Sequence, residues 1–192
     1  MNLPKERYDQ IESAVTNMFI NHDIRNIPID CFEIASKMNV ILKPFSRLSE
    51  RGLAEAMKIS EDGFYILVDN EGVEPFKYSQ WYIFYNDSMP KMRIRFTIMH
   101  ELGHIVLDHT EMSDLAEIEA NFFASYALAP PPLVHEIHVE DYLDIARAFN
   151  VSRQCAYYSF KNYKNWLNFG GEFYKETELE LLRQFEMITY LH

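Results

Sequence analysis

The sequence predicts the α+β class: a small, mostly antiparallel or mixed sheet packed on helices, followed by a helical C-terminal part. Three observations carry that class. Apolar residues recur at spacings of three and four over most of the chain, as on the buried stripe of an amphipathic helix. Between about residues 40 and 85 this pattern gives way to short β-branched and aromatic runs around an Asp62-Gly63 turn signal. The composition supports a core, since 48% of the 192 residues are hydrophobic and 24% are charged, with 6 Gly and 8 Pro. Disorder and collagen-like repetition are excluded.

The elements follow in order. Ile11, Ala14, Val15, Met18 and Phe19 mark a helix over residues 5–22. Asp30 is placed to cap the next helix, Glu33 to complete a capping box, and Asn39 to end it in the left-handed conformation. Residues 40–42 read as a strand. Residues 53–59 and 64–68 read as strands flanking the Asp-Gly turn, and residues 81–85 as a further strand whose edge an extended peptide could join. Helical spacing returns over 92–107 and 113–128, and Pro130-Pro131-Pro132 stops the second of these. The triple proline suggests a division into residues 1–129 and 130–192. Beyond it, 142–149 and 153–163 form two short helices around a tight turn, and a last helix spans 176–190.

The charge balance is 18 Lys and Arg against 29 Asp and Glu, a formal charge of -11. Such a surface repels phosphate backbones, so direct nucleic-acid binding is not expected. Cys31 and Cys155 show no CxxC spacing, which excludes a disulfide scaffold or a cysteine zinc ribbon and suggests a reducing, cytoplasmic setting. The N-terminus is charged and reads as unprocessed. No run approaches the ~20 apolar residues of a membrane span.

The chemistry lies in His100-Glu101-x-x-His104, inside a helical pattern. Side chains at i and i+4 lie one above the other, so both imidazoles can reach one metal ion, and Glu101 stands about 100° around the helix, where a carboxylate can take a proton from water. Met99, Leu102, Ile105 and Val106 would carry these polar groups into a buried setting, where they need a partner. A catalytic metal usually takes a third protein ligand. A pattern with Gly at 107 and His at 110 fails, because Leu107 and Thr110 stand there. His109 falls about 140° from His104 on a continuous helix and reads as a supporting group behind a ligand. Glu117, early in the next helix, is the better third ligand. Asn121, one turn on, could orient a ligand histidine. Glu119 is the rival, but it lies about 200° from Glu117, so only one of them can face the metal. Residues 142–163 also fit a helix-turn-helix template, with Ala146 at the small position, Asn150 in the turn, Val151 buried, Ser152 capping and Ala156 in the second helix. Arg147, Arg153, Lys161 and Lys164 fall in a stretch from 145 to 171 that contains no acid.

These residues resemble the ImmA/IrrE metallopeptidases. The resemblance rests on Arg95-Phe96-Thr97-Ile98-Met99-His100-Glu101-Leu102-Gly103-His104-Ile105-Val106-Leu107-Asp108-His109, then Glu117-x-x-Ala120-Asn121-x-Phe123-Ala124 and a Leu-x-Pro ending. Ile27-Pro28-Ile29-Asp30 and Ile145-Ala146-x-x-Phe149-x-Val151-Ser152 extend it over about residues 25–165. Where the family usually has Leu-Met-Pro, this chain has Leu128-Ala129-Pro130. The resemblance implies a compact zincin-like domain with one zinc ion (Zn2+) per chain, held by His100, His104 and Glu117, and Glu101 as general base. It also implies a protein substrate, a helix-turn-helix repressor whose cleavage induces phage, mobile-element or stress genes. The alternative is a non-catalytic regulator that binds DNA or sequesters a repressor through its tail. His109, Tyr85 and Tyr142 are candidate donors to the oxyanion.

Overall fold

Helix α1 (Lys5–Asn21) buries Ile11, Val15, Met18 and Phe19, the stripe read from the sequence. In this computed structural model, residues 3–70, 72, 78–111, 113–170 and 173–188 are described. Helix α2 (Cys31–Lys37) starts where the Asp30 carboxylate accepts the amides of Phe32 and Glu33. The expected capping box is not made; Glu33 pairs with Lys37 one turn on, at 2.7 Å.

Strand β1 (Ile41–Pro44) is followed by a 3-10 turn (Phe45–Arg47) and helix α3 (Glu50–Ile59). This corrects the reading of 53–59 as a strand. Ser49 caps the segment by accepting the Gly52 amide, and Leu, Ala, Glu, Met and Lys then favour a helix over a strand. The hairpin instead joins β2 (Gly63–Asn70) to β3 (Tyr78–Tyr85), antiparallel with Gly63 opposite Tyr85. Strand β1 pairs in parallel with β3, so the order is β1-β3-β2. Residues 81–85 therefore lie in the central strand, with both ladders taken, and the edge expected there is not available. Among the described residues, the free edge next to helix α4 (Lys91–Val106) belongs to β2.

Leu42, Tyr65, Trp81 and Ile83 turn toward the core, and α4 packs on that side of the sheet and on α2. The approach is close at Gly63, where a Cβ would stand 2.7 Å from both the Phe84 carbonyl oxygen and Thr97 Cγ2. Helix α5 (Asp114–Leu128) lies along α4 and against α1. The prolines that stop α5 also start α6 (Pro131–Glu136), since proline suits a first turn whose amides lack partners. Helices α7 (Tyr142–Ala148) and α8 (Arg153–Asn168) follow. Helix α9 (Glu176–Gln184) ends short of the expected residue 190; positions 189 and 190 lie outside the described residues. One continuous hydrophobic cluster runs from Leu3 through α4 and α5 to Leu181 and Phe185. No helix among the described residues is long and apolar enough to cross a membrane.

Several helices end by one device. Asp23, Asn39, Asp108, Asn150 and Glu186 adopt φ between 51° and 57°. In each case the next amide bonds back to the carbonyl five residues earlier, as from Val40 to Ala35 and from His109 to His104.

Candidate metal centre

Helix α4 carries His100 and His104 one turn apart, and their Nε2 atoms lie 3.1 Å from each other. Ser113 accepts the Ala116 amide and starts α5 after the chain has reversed. Glu117, in the first turn of α5, then lies across both rings. Its Oε2 is 3.3 Å from His100 Nε2 and its Oε1 is 3.3 Å from His104 Nε2. One ligand atom from each residue falls within 4.8 Å of the others, a group that could hold a metal ion. The two helices come this close because Gly103 stands against Phe123; a Cβ there would lie 2.9 Å from Phe123 Cδ1.

The donor set fits a borderline divalent cation such as zinc, which takes imidazole nitrogen and carboxylate oxygen and keeps a position open in catalytic sites. Burial lowers the pKa of both histidines, that of His104 to about 4, with the rings of His100 and His109 adding to the effect. Both are thus neutral at ordinary pH, the form in which imidazole binds a metal. Glu101 is buried as well. Burial first, then the Glu117 charge, pushes its carboxyl up to about 8, while a backbone hydrogen bond from Tyr65 pulls the other way. A dication beside it would favour the carboxylate.

Behind His104 the site is closed. Helix α4 ends at Val106, Asp108 turns left-handed with φ 54°, and the His109 amide bonds to the His104 carbonyl at 3.0 Å. This reversal folds the His109 ring back onto His104, with the two Nδ1 atoms 2.9 Å apart. His109 Nε2 lies 2.9 Å from Glu119 Oε2, and Arg7 on α1 grips Glu119, with Nε 2.7 Å from Oε1. Glu119, the rival ligand, therefore faces this closed side. From the sheet, the Tyr65 ring stacks on His104 with centroids 5.2 Å apart, and its hydroxyl donates to the His109 carbonyl at 2.8 Å.

The structure thus brings His100, His104, Glu117 and His109 together. Exposed Asn121 reaches His100 and favours its protonated ring. His100 Nδ1 itself is buried with no partner of hydrogen-bond geometry. Tyr85 and Tyr142 meet Phe32 and Tyr157 instead of the histidines. Arg7 and Tyr65 were not singled out from sequence, and Arg7, 112 positions from Glu119, carries no local signal there.

The Peptidase_M78 family, described as the IrrE N-terminal-like domain, matches residues 56–161, more than half of the chain. No curated protein matches it.

Proposed function

The chain belongs to the Peptidase_M78 family, the ImmA/IrrE metallopeptidases, and from that premise we propose that it is a zinc-dependent endopeptidase that cleaves a helix-turn-helix repressor in the cytoplasm. The observation that carries the reading is the convergence of His100, His104 and Glu117 beside the buried Glu101. The repressor as substrate rests on the family alone.

In this reading His100, His104 and Glu117 hold one zinc ion. When bound, the cation polarises the scissile carbonyl and makes water a better nucleophile. Glu101 takes the proton from the attacking water and delivers it to the amide nitrogen as the peptide bond breaks. Burial of Glu101 keeps competing water away from that proton. The free edge of β2 is the place for an extended substrate to pair, since Tyr65 on that strand already touches His104. We treat residues 1–129 as the peptidase unit and 130–192 as a helical part that shares its core and can grip the substrate.

The test is Glu101→Gln. Zinc content and repressor binding should persist while cleavage falls by about 10²- to 10⁴-fold. Undiminished cleavage would remove Glu101 from the mechanism. A second reading, a regulator that acts through its tail, is favoured by one feature: the exposed residues of α8 include Arg153, Lys161 and Lys164 and no acid. It predicts duplex binding that weakens steeply as salt rises, whereas the charge of -11 predicts none.

A further inference from the structure

We propose that Arg7 and Glu119, acting through His109, are positioning residues that fix His104 in its metal-binding tautomer, which makes the first helix part of the metal centre. The inference rests on the metallopeptidase reading for its purpose, but its geometry is independent of that reading.

The argument is one of donors and acceptors. Arg7 engages both oxygens of Glu119 through Nε and Nη2, so Glu119 is a carboxylate and can only accept. His109 Nε2, 2.9 Å from Glu119 Oε2, must then be the donor. A neutral imidazole has one N–H, so in that form, the one compatible with a metal on His104 Nε2, His109 Nδ1 carries a lone pair and accepts. The only group facing it at hydrogen-bond distance among the described residues is His104 Nδ1, at 2.9 Å. In that form His104 bears its proton on Nδ1, and its Nε2 presents a lone pair toward Glu117. The charge on Glu119 thus sets the direction of two successive hydrogen bonds and ends at a ligand nitrogen.

Burial makes the arrangement dependent on Arg7. The Glu119 side chain is 6% exposed, and a carboxylate so placed is costly unless paired. The partner comes from α1, outside the matched residues 56–161. His100 provides the contrast, because its buried Nδ1 has no partner of hydrogen-bond geometry and the side chain that reaches its ring is the exposed Asn121 in place of a buried carboxylate. Tyr65 holds the same assembly from the other side, through the His109 carbonyl and the face of His104.

The experiment uses the full chain with zinc as the probe. In metal-free wild type, 15N shifts of the imidazoles should show His104 and His109 in opposite tautomers, N–H at Nδ1 of the first and at Nε2 of the second. His109→Phe keeps the Arg7–Glu119 pair and should weaken zinc binding by about 10- to 100-fold in competition with a chelator. Arg7→Met should weaken it in the same direction, and Arg7→Lys should restore part of the loss. A wild-type His104 protonated at Nε2 would overturn the proposal, as would unchanged zinc affinity in folded His109→Phe. If the variants do not fold, the wild-type tautomers alone decide. If wild type binds no zinc at all, the peptidase reading fails, while the tautomer measurement still accepts or rejects the relay.

Discussion

Two helix pairs, α4–α5 and α7–α8, are joined by the same devices and differ in what they bury. In each, the first helix ends at a left-handed residue, Asp108 or Asn150, and a serine, Ser113 or Ser152, caps the second. Between α7 and α8 the buried residues are chiefly apolar: Ile145, Val151 and Ala156. Between α4 and α5 they include Glu101, His104 and Glu119. Burying a polar or charged group is costly unless it is paired, and each of these three has a partner: Arg7 for Glu119, His109 for His104 and the Tyr65 backbone for Glu101. Matching turn devices therefore indicate shape, and a concentration of buried polar groups indicates chemistry.

The strongest way to break this contrast is Glu117→Ala. The Glu117 side chain is 46% exposed, and its carboxylate lies 3.3 Å from the Nε2 atoms of both His100 and His104. Its loss should abolish stoichiometric zinc binding, read by metal analysis after purification without chelators. Stability of the metal-free protein in urea should stay within about 0.5 kcal/mol, as for a surface substitution. Full zinc occupancy in the variant would mean that the seam is polar for another reason.

Gly103→Ala probes the packing of the same seam. A mid-helix Gly-to-Ala change normally gains about 0.5–1 kcal/mol. Here the new Cβ would meet Phe123 Cδ1 at 2.9 Å and Cγ at 3.1 Å, and Phe123 is fully buried. Overpacking of this kind costs about 1–3 kcal/mol, so the expected sign is a loss, measured by thermal or urea unfolding. Zinc affinity should fall with it, because the substitution separates α4 from the helix that carries Glu117. A stabilised variant would show that the two helices can part without harm to the site.

How much of this was legible in sequence depends on how local the cause is. His100, Glu101 and His104 could be placed because i, i+4 geometry lies within one helix, and Glu117 because Ser113 announces the start of the next. His109 stands about 140° from His104 on a continuous helix, which points to a supporting group and away from a ligand; its actual partners depend on the left-handed turn at Asp108, and aspartate there is a weaker signal than glycine. Arg7 and Tyr65 reach the site across tertiary contacts that no local pattern encodes. Residues 53–59 are helical although the Asp62-Gly63 signal suggests a strand on both sides, because the Ser49 cap starts a helix ahead of that turn. Residues 81–85 were recognised as a strand, but its place in the middle of the sheet depends on pairing with residues 41–44, far away in sequence.

The smallest expected effect lies in the second pair and sharpens the contrast from its other side. The Ser152 hydroxyl accepts the Cys155 amide at the start of α8, at 3.1 Å. Ser152→Ala leaves that amide uncapped and should cost about 1 kcal/mol, the usual value for a lost N-cap. Because Val151 and Ala156 stay buried on either side of the cap, the helix should remain docked and only its first turn should loosen. Zinc content and the His104 tautomer should therefore match wild type, with the whole effect confined to the unfolding midpoint. A fall in zinc affinity in this variant would show that the tail and the metal site are mechanically linked. Arg95 would be the connection to examine, since this α4 residue bonds to the carbonyls of Ile29 and Phe149 at 2.6 and 3.4 Å.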